Sequence, residues 1–156
     1  MKKKHSPKYV KQPKGDQIKI ALNPDSYLQE TPVWRFCDFD WDGPWGLETC
    51  SYRIRQMQTH IQQHLSSFET MTWAEILKAS GGKGAGKGNN SHEIPRDKFK
   101  KEAIERLKKS GIKADTIFSL RLDAGTRIYG VREGRCLRIT FFDPHHKDHD
   151  KCAYQY

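Results

Sequence analysis

The chain has no long hydrophobic run: apolar residues make up 35% of its 156 positions and come only a few in a row, far short of the roughly 20 that a membrane span needs. Cysteine is sparse as well. The four, at positions 37, 50, 136 and 152, form no C-x-x-C pair, which argues for free thiols in a reducing cytoplasm rather than a disulfide framework. The basic start, Met1 to Lys4, runs into polar residues and proline, so no secretory signal is expected. Acid is in deficit, with 19 Asp+Glu against 28 Lys+Arg and a net charge of +9. This length supports one core rather than two.

The excess charge is not spread evenly. Residues 1–20 carry seven Lys against Asp16, and residues 81–113 carry ten Lys or Arg against four acids, so each block is +6. Residues 21–50 run the other way, with Arg35 against six acids, net −5. Concentrated positive blocks are footprints for a polyanion, of which nucleic acid is the commonest. The plainer alternative is a soluble tail and a solvated helix face.

Residues 1–30, Lys-rich and punctuated by proline, read as a flexible basic arm, and residues 31–156 as one α+β domain. Val33, Trp34, Phe36, Phe39 and Trp41, closed by Asp42-Gly43-Pro44, predict a first strand. Leu47, Cys50, Ile54, Met57, Ile61, Leu65 and Phe68 recur at helical spacing, predicting a helix of about six turns. Thr72 with Glu75 three residues on predicts a capped short helix carrying Trp73, Ile76 and Leu77. A Gly/Lys-rich loop follows at 81–90, then a basic helix from Pro95 with Phe99, Ala103, Ile104 and Leu107 on its apolar stripe, ended by Ser110-Gly111. Three strands close the chain: 116–122, 126–132 and 136–142, with a hairpin at Glu133-Gly134. Most of the four tryptophans are expected in the core.

Two motif matches fail on chemistry. Asp38-x-Asp40-x-Asp42-Gly43 opens like a Ca²⁺ loop, but aromatic residues fill the gaps and Thr49 stands where a bidentate Glu is required. Gly81-x-x-x-x-Gly86-Lys87 has the outline of a nucleotide-binding loop, but Gly88 replaces the hydroxyl that reaches Mg²⁺ and the loop follows a helix. A metal site from His145, Asp148, His149 and Cys152 is a further alternative.

Ser119-Leu120-Arg121-Leu122, Arg127-Ile128-Tyr129-Gly130-Val131, Gly134-x-x-Leu137-x-Ile139 and Asp143-Pro144-His145-His146 resemble the C-terminal part of the RelE/YoeB superfamily of small ribonuclease toxins. The resemblance covers about the last 40 residues. It implies helices packed on one face of a small twisted antiparallel sheet, and a metal-independent, cofactor-free endoribonuclease acting on mRNA, typically on the ribosome. By position it implies Arg121 and Arg127 as phosphate clamps and His145 or His146 as the general acid. A carboxylate base has no clear counterpart; Glu102 and Glu105 lie in the right region. The resemblance also implies an acidic antitoxin partner. Lys83, Lys87, Lys98, Lys100, Lys101, Lys108 and Arg132 are the residues expected to guide RNA. The rival expectation is a non-catalytic nucleic-acid-binding or adaptor protein of a mobile element.

Overall fold

Alternation of apolar and polar residues in the C-terminal third builds the centre of a five-stranded sheet. The computed structural model describes residues 26–46, 54–55, 57–79 and 91–154. Its strands are β1 (Val33–Arg35), β2 (His92–Pro95), β3 (Thr116–Arg121), β4 (Arg127–Glu133) and β5 (Cys136–Asp143). Its helices among the described residues are α1 (Gln62–Phe68), entered through a π-helical turn at Met57–Ile61, α2 (Trp73–Lys78) and α3 (Lys101–Lys109). The order across the sheet is β1-β5-β4-β3-β2, with β1 parallel to β5 and the other pairs antiparallel. The α+β class holds; the sheet is mixed.

Both faces of the sheet are covered, rather than the single face expected. Phe118, Leu120, Ile128, Leu137, Ile139 and Phe142 bury one face against Ile61, Leu65, Trp73 and Ile76. Ile117, Tyr129 and Phe141 bury the other against Phe99, Ala103 and Leu107 of the α3 region. The inner strands are apolar on both sides, with Phe118, Leu120 and Ile128 on one face and Ile117 and Tyr129 on the other. In β5, strict alternation puts Leu137, Ile139 and Phe141 on one side, but Thr140 is an extra residue between the pairs Gly130↔Ile139 and Tyr129↔Phe141. The bulge exchanges two rings, sending Phe141 to the second face and Phe142 to the first. Opposite the bulge only glycine fits, because a Cβ at Gly130 stands 2.2 Å from the Arg138 carbonyl oxygen.

The short α2 starts as its capping box dictates: the Thr72 side chain accepts from the Glu75 amide, and the Glu75 carboxylate accepts from the Thr72 amide at 2.7 Å. Trp73 follows, fully buried, its indole N–H donating to the Arg135 carbonyl at 2.9 Å. Trp45 is buried too, against Phe141, whereas Trp41 is 45% exposed and stacks edge-on with Phe39. The first strand stops at Arg35 because the next residues turn, with the Phe39 amide donating to the Phe36 carbonyl. The alternating acids there neutralise arginines from distant elements. Asp38 pairs with Arg138, and Asp40 takes both Nε and Nη2 of Arg106. The −5 segment thus removes two cations from the basic surface.

Within the segment expected as an arm, Ser26–Gln29 forms a 3-10 turn whose Tyr27 and Leu28 pack against the first core. Residues 1–25, 47–53 and the loop 81–90 lie outside the described residues.

Candidate functional site

The site begins with strand register. Arg121 ends β3 and Arg127 begins β4, directly opposite one another, and Asp143 of β5 stands opposite Arg127. One step along, His92, Ser119, Tyr129 and Phe141 form the neighbouring cross-strand row. Directly paired residues share a face, so both rows lie on the α3 side of the sheet. Like charges placed opposite one another destabilise a sheet, and Arg121 makes no ion pair among the described residues. Its Nε donates to the Asp123 carbonyl at 3.2 Å, and its amide donates to Ser91 Oγ. Arg127 is only 3% exposed, and its Nη1 donates to the carbonyls of Asp123 and Thr126 at 2.6 and 3.0 Å. Both guanidiniums therefore converge on the Asp123–Thr126 turn, which the Asp123 carboxylate tightens by accepting the Gly125 and Thr126 amides.

The chain after β5 brings a histidine to this pair. Asp143, fully buried, accepts the His145 amide on one carboxylate oxygen and the Ala153 amide on the other, both at 2.8 Å. Burial pushes its carboxyl above the usual range, against the pull of those two donors. This carboxylate closes the 144–153 segment over the sheet, and the His146 amide donates to the Gly125 carbonyl at 3.0 Å. His146 Nδ1 then lies 3.4 Å from the Tyr129 hydroxyl. Burial, followed by the charges of Arg127, Arg121 and His92, lowers the His146 pKa to about 4. At neutral pH the ring is therefore neutral. A ring in this state can accept a proton, whereas the resemblance implies a general acid here.

The predicted residues separate into groups. Arg121, Arg127 and His146 come together; His145 faces another way, into a cleft with Trp45, Lys100, Glu102 and Lys151. Lys100 is committed to structure, since its Nζ donates to the His149 carbonyl and its amide to Ala153. Arg132 lies on the opposite face of the sheet, 4.3 Å above the Tyr27 ring and paired with Glu93. Lys98, Lys101 and Lys108 are exposed. Lys83 and Lys87 fall outside the described residues. Of the carboxylates considered as base, Glu102 lies with His145 and Glu105 is exposed on α3.

Sequence reasoning missed His92, Tyr129 and Asp143 as parts of this arrangement. A signal existed for the last, because Asp-Pro-His is a common way to close a turn on the Asp side chain. Among the described residues no three His, Cys, Asp or Glu side chains gather as a metal site, and no helix is long and apolar enough to cross a membrane. The thiol of Cys152 is buried and directed at the carbonyls of His149 and Tyr154. No protein-family model, curated protein or solved structure matches the chain.

Proposed function

We propose that the chain is a metal-independent endoribonuclease of the RelE/YoeB type, a toxin-like protein that cleaves mRNA in the cytoplasm, on or off the ribosome. One observation supports it above the others: two arginines opposed across adjacent strands share a face with a half-buried histidine that burial, and then their charge, keeps neutral. A cluster with this electrostatic character favours an anion. A bound phosphodiester relieves the repulsion between Arg121 and Arg127 and accepts their planar donors. The same anion raises the basicity of His146, so the base gains strength where the substrate sits. His146 removes the 2′-hydroxyl proton, the 2′-oxygen attacks phosphorus, and the arginines stabilise the charge that grows on the phosphoryl oxygens. Lys98, Lys101 and Lys108 steer the rest of the RNA. An acidic antitoxin covering these cations is the partner this reading implies.

A second reading, a non-catalytic nucleic-acid-binding or adaptor module, draws on the two backbone carbonyls that hold Arg127. Purified protein incubated in EDTA with mRNA, with and without ribosomes, separates the two. The endoribonuclease reading expects products ending in 2′,3′-cyclic phosphate and 5′-hydroxyl, with cleavage reduced ~10²–10⁴-fold by His146→Gln. RNA that is bound but left intact in both settings favours the adaptor.

A further inference from the structure

RNA cleavage by internal attack needs two proton transfers, and His146 performs only one of them. From the register of the sheet we infer that His92 is the second proton-transfer residue, the general acid for the departing 5′-oxygen. This rests on the endoribonuclease reading.

Three observations place His92 there. It opens β2 directly opposite Ser119, which in turn pairs with Tyr129, so the three stand in one row on the face that carries Arg121 and Arg127. Adjacent strands are about 4.8 Å apart, which puts the His92 backbone about 10 Å from that of Tyr129. The small, buried Ser119 lies between them. Second, the strand entry is anchored beside the arginine pair, because the Arg121 amide donates to Ser91 Oγ at 2.9 Å. Third, His92 is near enough for its charge to act on His146. The two imidazoles thus flank the arginine pair, His146 half-buried over Tyr129 and His92 exposed at the sheet's edge.

Other donors fit less well. The Tyr129 hydroxyl is buried and faces His146, on the side where the 2′-proton is received. His145 lies in a separate cleft, and Lys100 is engaged with the C-terminal segment. An exposed imidazole can also take a fresh proton from solvent after each turnover, which a buried group cannot do as readily.

The step balances. The O2′–P bond forms as the P–O5′ bond breaks, His146 accepts the 2′-proton, and His92 gives its proton to O5′. The products are a 2′,3′-cyclic phosphate and a 5′-hydroxyl, and the excess proton on His146 returns to His92 through solvent.

The test uses full-length protein and two substrates, ordinary RNA and RNA with a 5′-bridging sulfur at one linkage, whose thiolate leaves without protonation. His92→Gln is expected to cut the rate on ordinary RNA ~10²–10³-fold and to stay within about threefold of the wild type on the sulfur-linked substrate. His146→Gln is expected to slow both. If the wild type cleaves and His92→Gln is equally active, or is slowed alike on both substrates, His92 is not the acid, while the endoribonuclease reading stands. If the wild type cleaves neither substrate, that reading fails and this inference with it. Because His92 is exposed, an unchanged thermal transition in the variant separates lost chemistry from lost fold.

Discussion

At the scale of single residues, Arg127 has a structural task beside the one proposed for it. Two of its hydrogen bonds close the β3–β4 turn in a place that solvent hardly reaches. Arg127→Ala takes one charged donor from each carbonyl, the Asp123 oxygen keeping Arg121 Nε and the Thr126 oxygen keeping the Leu122 amide, and is expected to destabilise the protein by about 1–3 kcal/mol in urea unfolding, apart from any effect on RNA. Arg121 holds the same turn through one longer bond and is less buried. Arg121→Ala is expected to cost under about 1 kcal/mol while still weakening phosphate binding, which makes it the cleaner probe of function. His146 leaves its mark on pH dependence. Its folded pKa, about 4, lies below the ordinary 6.5, so between these values the unfolded chain binds more protons than the native one. Stability therefore falls as pH drops from about 6.5 towards 4. The groups facing the ring are Arg121, Arg127, His92 and Tyr129. His146→Gln is expected to flatten this limb of the stability curve, which urea midpoints measured across the range will reveal.

At the scale of elements, the β5 bulge decides which of Phe141 and Phe142 meets which helical layer. Gly130→Ala forces a Cβ into the Arg138 carbonyl and is expected to cost about 3 kcal/mol or more in thermal unfolding. Ordinary stability in that variant is evidence against the bulge. The three C-terminal strands, the capped α2 and the Gly111 stop after α3 were legible because each carries a local signal: alternation, Thr72 with Glu75, and a glycine at φ +73°. β2 was not legible, since it is a four-residue edge strand in which only Ile94 is buried and Pro95 closes the run. Missing β2 meant missing His92. The two-faced burial was hidden because alternation is read one strand at a time, and the bulge was hidden because Thr140 looks like any outward residue. The acids at 38, 40 and 42 were conspicuous, but pairing with Arg138 and Arg106 across 100 and 66 residues leaves no local trace. Arg121 and Arg127 were visible as a pair, and His146 was visible only as one of several terminal histidines. What singled it out is the carboxylate of Asp143, which sends the following residues back over the sheet.

At the scale of the whole molecule, the +9 charge is an overstatement of what RNA can meet. Arg106, Arg138 and Arg132 are held by acids, and Lys100 by a carbonyl. The exposed lysines remain. Replacing Lys98, Lys101 and Lys108 together by Ala is expected to weaken binding alike for all RNA sequences and to lower the slope of log affinity against log salt by about 2. An unchanged slope removes these lysines from the RNA path. The phosphate site at the end of the sheet is the central claim, and an NMR titration of the His146 ring nitrogens tests it most directly, with and without a non-cleavable 2′-deoxy oligonucleotide. The expected result is a pKa near 4 in the free protein, rising by about one unit or more when the oligonucleotide phosphate sits between Arg121, Arg127 and the ring. A His146 that titrates near 6.5 in the free protein, or whose pKa stays put when the oligonucleotide is saturating, contradicts the account.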